Sequence, residues 1–174
     1  MKKKFVLKEN KTGKDFPEFH TEVEVTLTET DIIFDFNCKN TKFFSYCEGY
    51  NTEIWRGDVC EAYICTSGDI SHYYEIQIAP NNSNYFSKVY NPDGNFRTTF
   101  VDENPITSKV ERFGDDYKVK FSIPLDKIGY DKEKGILLNI FRIETEGGIQ
   151  DKNLLAMNPT LCGTYHRPEF FVKL

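Results

Sequence analysis

The 174-residue chain is short of several features, and each shortage removes a class of function. It has no run of about 18 apolar residues, which argues against a membrane-spanning helix. Lysine and arginine total 22 against 27 aspartates and glutamates, a net charge of −5, and the one basic run, Lys2 to Lys4, is brief. Nucleic-acid binders draw most of their non-specific affinity from neutralising phosphates, so no such partner is expected. The basic start runs straight into FVLKENK, with no apolar stretch or small-residue cleavage site, and a signal peptide is not expected. On that reading the chain is cytoplasmic as it stands, or extracellular if excised from a longer protein.

Metal-binding patterns are also missing. His20, His72 and His166 form no H-x-x-x-H spacing, and Cys38, Cys47, Cys60, Cys65 and Cys162 form no C-x-x-C, so a zinc site is not expected. The cysteines read as reduced and structural, with a Cys38–Cys47 disulfide as the alternative. Helical periodicity is nearly absent; LDKIGYD, after Pro124, is the one plausible helical turn.

What the chain has is aromatic residues and strand patterns. Phenylalanine (15) and tyrosine (10) dominate a 15% aromatic share, which suits pleated sheets and ring-stacking surfaces alike. The length fits one domain, residues 1–174, entered by an extended segment over residues 1–20. TEVEVTL (21–27) and DYKVKFSIP (116–124) alternate strictly, as half-buried strands do. Further strands are expected over residues 32–37, 84–90 and 107–112, in FRTTFV after the NPDGN turn, and in the closing FFVKL. GILLNIFRIE (135–144) is apolar on both faces and reads as a doubly covered central strand. A long irregular connection, Cys38 to Glu53, follows the second strand, and another irregular stretch runs to Pro159. Many short strands joined by Gly, Pro, Asn and Asp turns predict an all-β protein: an antiparallel β-sandwich, immunoglobulin-like or jelly-roll-like, with very little helix.

At its centre lies a hairpin. A strand from Val59 to Cys65 turns through Ser67, Gly68 and Asp69 into a second strand from Tyr73 to Ala79, stopped by Pro80. Asp58, Glu61 and Glu75 sit in or beside these apolar strands, and Trp55, the one tryptophan, lies just ahead. A buried charge needs a partner. Arg142, on the doubly covered strand, is the natural counter-charge to Glu61 or Asp58. Those pairs either fix the strands or leave the carboxylates to accept ligand hydroxyls, with Gln77 and Asn139 able both to donate and to accept. Trp55 is either a stacking platform or a core ring. Asp58 with Glu61 as an acid–base pair would suggest a glycosidase, a weaker reading, because any acidic protein offers such pairs.

The sequence W-x-G-D-x-x-E-A-Y-I (Trp55 to Ile64), then YYEIQIAPNN, LNIFRIE (Leu138 to Glu144), AMNPT (Ala156 to Thr160) and YHRPEFF (Tyr165 to Phe171), resembles the family 9 carbohydrate-binding modules across roughly residues 20–174. The resemblance implies an antiparallel β-sandwich that binds mono- or oligosaccharides and carries structural calcium, without catalysis. Members clamp sugar between two tryptophans. Here only Trp55 is present, and Tyr165, Tyr74 or Tyr50 would supply the second ring. The ligand-binding set expected is therefore Trp55, Glu61, Tyr74, Asn139, Arg142 and Tyr165, with no catalytic residue. Calcium would suit the turns Asn91-Pro92-Asp93-Gly94 or Asp102-Glu103-Asn104. His166 and Arg167 bridge strands, or His166 binds ligand or metal. Two alternatives stand beside sugar binding: an interaction module that has lost it, and a haem- or cofactor-binding sandwich using Met1, Met157 and the histidines.

Overall fold

Strict alternation of apolar and polar side chains makes each strand a two-faced ribbon, and the apolar faces must meet. A computed structural model describes residues 1–39, 42–149 and 152–174. In chain order the strands are β1 (Lys2–Val6), β2 (Lys8–Glu9), β3 (Thr21–Leu27), β4 (Asp31–Cys38), β5 (Val59–Cys65), β6 (His72–Ile78) and β7 (Asn84–Tyr90). They continue with β8 (Arg97–Phe100), β9 (Thr107–Phe113), β10 (Asp116–Pro124), β11 (Leu137–Glu144), β12 (Asn153–Ala156) and β13 (Val172–Lys173).

Two antiparallel sheets result. One is ordered β1-β3-β4-β10-β9; the other is ordered β2-β12-β11-β5-β6-β7-β8, with β13 paired to β11. Among the described residues, helix is limited to short 3-10 turns. The sheets meet through one buried cluster, in which Val25, Phe34 and Phe121 from the first face Ala62, Ile76 and Ile140 from the second. Phe121 stacks on Phe34 with ring centroids 4.8 Å apart. The molecule is an all-β sandwich, as its pattern predicts.

The eight-stranded sheet is covered on its other face too. Tyr63, Tyr73, Tyr85 and Phe141 form a second cluster there, with Ile54 and Tyr165 from the long connections packed onto it. This double cover explains why β5 is buried at every position and β11 at all but its first. Gly57 makes one layer of that cover fit: a Cβ there would lie 2.5 Å from the Phe44 carbonyl oxygen.

Some elements depart from the sequence reading. The opening segment is paired rather than merely extended: β1 zips onto β3, and β2 onto β12. β12 falls in a stretch that reads as irregular; its four residues are too few for a visible period. LDKIGYD becomes a 3-10 turn over Leu125–Ile128, closed by Gly129 in the left-handed region at φ 58°.

Candidate functional site

On the outer face of the eight-stranded sheet lies a cavity of ≈ 750 Å³, within the usual range for small-molecule sites. The period of two puts Glu61 and Tyr63 of β5 on that face, with Glu75 and Gln77 of β6 beside them. In register, Glu61 opposes Gln77 and Tyr63 opposes Glu75, so two carboxylates and an amide form one polar floor. Rings wall it. Trp55 meets Tyr85 edge-on at 5.2 Å, and Tyr85 meets Phe100 edge-on at 5.8 Å. Across the floor, Tyr165 stacks on Phe141 at 4.1 Å, and Phe96 stacks on His166 at 3.6 Å.

Glu75 is held from within the protein. Its Oε1 accepts from the Tyr63 hydroxyl at 3.1 Å and from Gln77 Nε2 at 2.7 Å. Burial pushes its carboxyl up to about 7, against the pull of those hydrogen bonds. Glu61 differs. It is 1% exposed, and neither of its carboxylate oxygens has a hydrogen-bond partner among the described residues. Burial, then the neighbouring charge of Glu75, raise its pKa well above the carboxylate range, while Lys152 draws it back. Gln77 Oε1 is likewise buried without a partner. Such acceptors are costly to leave unmade, and a ligand that donates to them recovers that cost.

His166 joins the wall rather than a metal. Its Nδ1 lies 2.7 Å from the Tyr73 hydroxyl and its Nε2 3.4 Å from that of Tyr63. Burial lowers its pKa to about 4, so the ring is neutral. With both nitrogens engaged, axial ligation of haem by this histidine has no support. No group of three or more His, Cys, Asp or Glu side chains that could hold a metal gathers among the described residues. Of the turns suggested for calcium, Asn91 is spent on internal bonds: it donates to the Tyr73 hydroxyl and the His166 carbonyl, and accepts from Gly94 N.

The expected ligand set divides. Trp55, Glu61 and Tyr165 line the cavity. Tyr74 does not: it is one residue out of phase with Glu75, points between the sheets and stacks on Phe86 at 5.5 Å. Tyr50 is also elsewhere, donating to the Val101 carbonyl at 2.6 Å. Asn139 is buried under the following chain, where its amide donates to Asn158 O and accepts from Asn158 N. Arg142 is the largest correction. It faces the inter-sheet core at 0% exposure and pairs with Glu144, not with Glu61 or Asp58. Its guanidinium also donates to Thr21 Oγ1 and to the Phe19 and Lys39 carbonyls. Asp58 clamps loops, accepting from Phe44 N, Thr145 N and Thr145 Oγ1. All five cysteines are free; Cys38 Sγ lies 3.6 Å from Cys60 Sγ and does not bridge to Cys47.

Several site residues escaped the sequence reading. Tyr63, Tyr85, Phe96, Phe100 and Lys152 line the cavity. The parity of Tyr63 with Glu61 was a usable signal; the approach of Phe96 and Phe100 depends on how β8 pairs with β7.

No family model matches this chain. Solved structures with the same fold include a Bacteroides uniformis protein assigned to carbohydrate binding, at a TM-score of 0.79 and 15% identity, covering 97% of this chain and 84% of that one. Another is a family 9 carbohydrate-binding module from Caldicellulosiruptor kristjanssonii. Its complex with glucose gives a TM-score of 0.66 and its complex with cellotriose 0.68, both at 12% identity. These two cover 97% of this chain and 82% and 79% of theirs. In sequence, an extracellular protein of Arthroderma benhamiae is 30% identical over 180 aligned positions, covering 92% of this chain and 79% of that protein. The chain belongs to the same family as this fungal extracellular protein.

Proposed function

We propose that residues 1–174 form a non-catalytic carbohydrate-binding module of the family 9 type, taking a mono- or oligosaccharide in the ring-walled cavity. The observation that carries this reading is the floor: buried, unpartnered acceptors at Glu61 and Gln77, enclosed by aromatic rings. A sugar offers hydroxyl donors for such a floor and apolar C–H faces for Trp55, Tyr85 and Tyr165. The fold shared with modules solved with glucose and cellotriose supports the same class of ligand. The name of the fungal relative supports an extracellular setting, where glycans are exposed.

The placement of the carboxylates supports binding without hydrolysis. Glu61 and Glu75 rise from adjacent strands of one floor, on the same side of any sugar above them. Glycoside hydrolysis needs carboxyl groups flanking the scissile bond. Titration calorimetry against glucose, xylose and cello-oligosaccharides tests the reading. Saturable heat that weakens in Trp55→Ala by roughly fivefold, about 1 kcal/mol of stacking, is the expected result. Absence of heat with every sugar overturns it.

A further inference from the structure

We propose that the ligand's anchoring group is a protonated primary amine, so that the site takes an amino sugar with a free 2-amino group, alone or ending a short glycan. This rests on the carbohydrate reading of the same cavity and narrows it. Three acceptors on the floor have no partner among the described residues: Glu61 Oε1, Glu61 Oε2 and Gln77 Oε1. They belong to one cross-strand pair, Glu61 opposite Gln77, so they stand side by side on the floor. The orientation of the Gln77 amide is set by its neighbour. Its Nε2 donates to Glu75 Oε1 at 2.7 Å, which leaves the oxygen as its open end.

An ammonium group has three donors and no acceptor. It matches a floor of three acceptors. A sugar hydroxyl both donates and accepts, and these three atoms offer it nothing to accept from. Charge points the same way. Glu61 and Glu75 stand side by side in a buried site, and the nearby cations are committed or peripheral. Arg142 is on the opposite face with Glu144, Lys152 acts on Glu61 while its Nζ donates to the Trp55 carbonyl at 2.7 Å, and Lys11 is an exposed lysine of the lining. Burial holds these carboxyls protonated in the unliganded site, and a ligand ammonium brings the close positive charge that draws Glu61 into its ionised, acceptor-only form. The faces of Trp55 and the surrounding tyrosines attract a cation that has left water. An N-acetylated sugar lacks the charge, keeps one N–H and brings a carbonyl acceptor, so the same floor disfavours it.

Trp55 is the one tryptophan and lines the cavity, so its fluorescence reports occupancy directly. Glucosamine, glucose and N-acetylglucosamine, with their β-1,4 trimers, are titrated at about pH 6, below the range of an aliphatic amine. Glucosamine or its trimer is expected to bind at least about tenfold tighter than the matching neutral sugars. Glu61→Gln keeps shape and loses charge, and is expected to bring the three within about threefold of one another. Neutral sugars binding as tightly as the amine overturn the inference and leave the carbohydrate reading standing. A preference that survives in folded Glu61→Gln also overturns it. Binding of none of them overturns the inference, and the carbohydrate reading falls with it when xylose and the longer cello-oligosaccharides also give no heat. The wild-type comparison decides even if the variant fails to fold.

Discussion

The two faces of the eight-stranded sheet each bury charge, and they treat it oppositely. On the inner face, Arg142 and Glu144 are both 0% exposed and tied to each other, and the guanidinium also reaches three further oxygens. On the outer face, Glu61 is as deeply buried, and its carboxyl oxygens have no hydrogen-bond partner among the described residues. The inner pair is satisfied except at Arg142 Nε, which has no partner among the described residues, and it ties β11 to the Phe19–Thr21 segment as scaffold. The outer floor is open, and its unpaired acceptors are the ones the proposed ligand would satisfy.

The largest test of this contrast is Arg142→Met. It strands Glu144 in the core, and a loss of about 3–5 kcal/mol in urea or thermal unfolding is expected. Adding Glu144→Gln should return much of that loss, since it removes the stranded charge. A mild single variant would erase the distinction between the faces.

The pH dependence of stability probes the outer floor. Burial raises the Glu75 carboxyl from 4.5 to about 7. A carboxyl whose folded pKa lies above its unfolded value stays protonated longer in the folded state, so the folded state binds more protons. Its full contribution is present below the unfolded value and is lost as pH rises through the folded one. Stability should fall by up to about 3 kcal/mol from pH 4.5 to pH 7 through this group. Glu75→Gln should remove this group's share of the slope, as read from melts across that window, while Glu144, also raised by burial to about 7, keeps its own.

A smaller effect of opposite sign is expected at Glu61. Glu61→Gln should raise the unliganded protein's stability by about 1 kcal/mol at neutral pH, because the unpartnered buried carboxyl must otherwise take up a proton on folding, while weakening ligand binding. Stabilisation at the cost of binding is the mark of a functional site. Smallest of all, Tyr74→Phe should leave ligand affinity unchanged and stability within about 0.5 kcal/mol, since that ring faces the other side of the sheet. A measurable loss of affinity there would break the assignment of faces.

Much of the fold was legible in the sequence. Alternation in TEVEVTL and DYKVKFSIP located β3 and β10 residue for residue, and the hairpin around Ser67–Asp69 was marked by its turn residues. The four-residue β12 was hidden because so short a strand carries no period. Of the expected ligand set, Trp55, Glu61 and Tyr165, legible as a ring, a carboxylate and a motif residue, stand in the cavity lining. Tyr74, Asn139 and Arg142 were assigned to it and stand elsewhere or are spent on internal bonds. The inner charge circuit was half seen: Arg142 was recognised as needing a partner, but the partner proved to be Glu144, two residues along the same strand.

By itself, the sequence determined which residues share a face, because side chains alternate along a strand whatever surrounds it. Glu61 was bound to travel with Tyr63, Glu75 with Gln77, and Arg142 with Glu144. Only the tertiary structure decided which set looks inward. β5 and β11 are apolar on both sides, so alternation carries no sign for inside and outside, and the sign is set by which face the opposing sheet covers. That choice sent Arg142 to the core and left Glu61 and Gln77 facing a cavity ringed by aromatic side chains from distant parts of the chain.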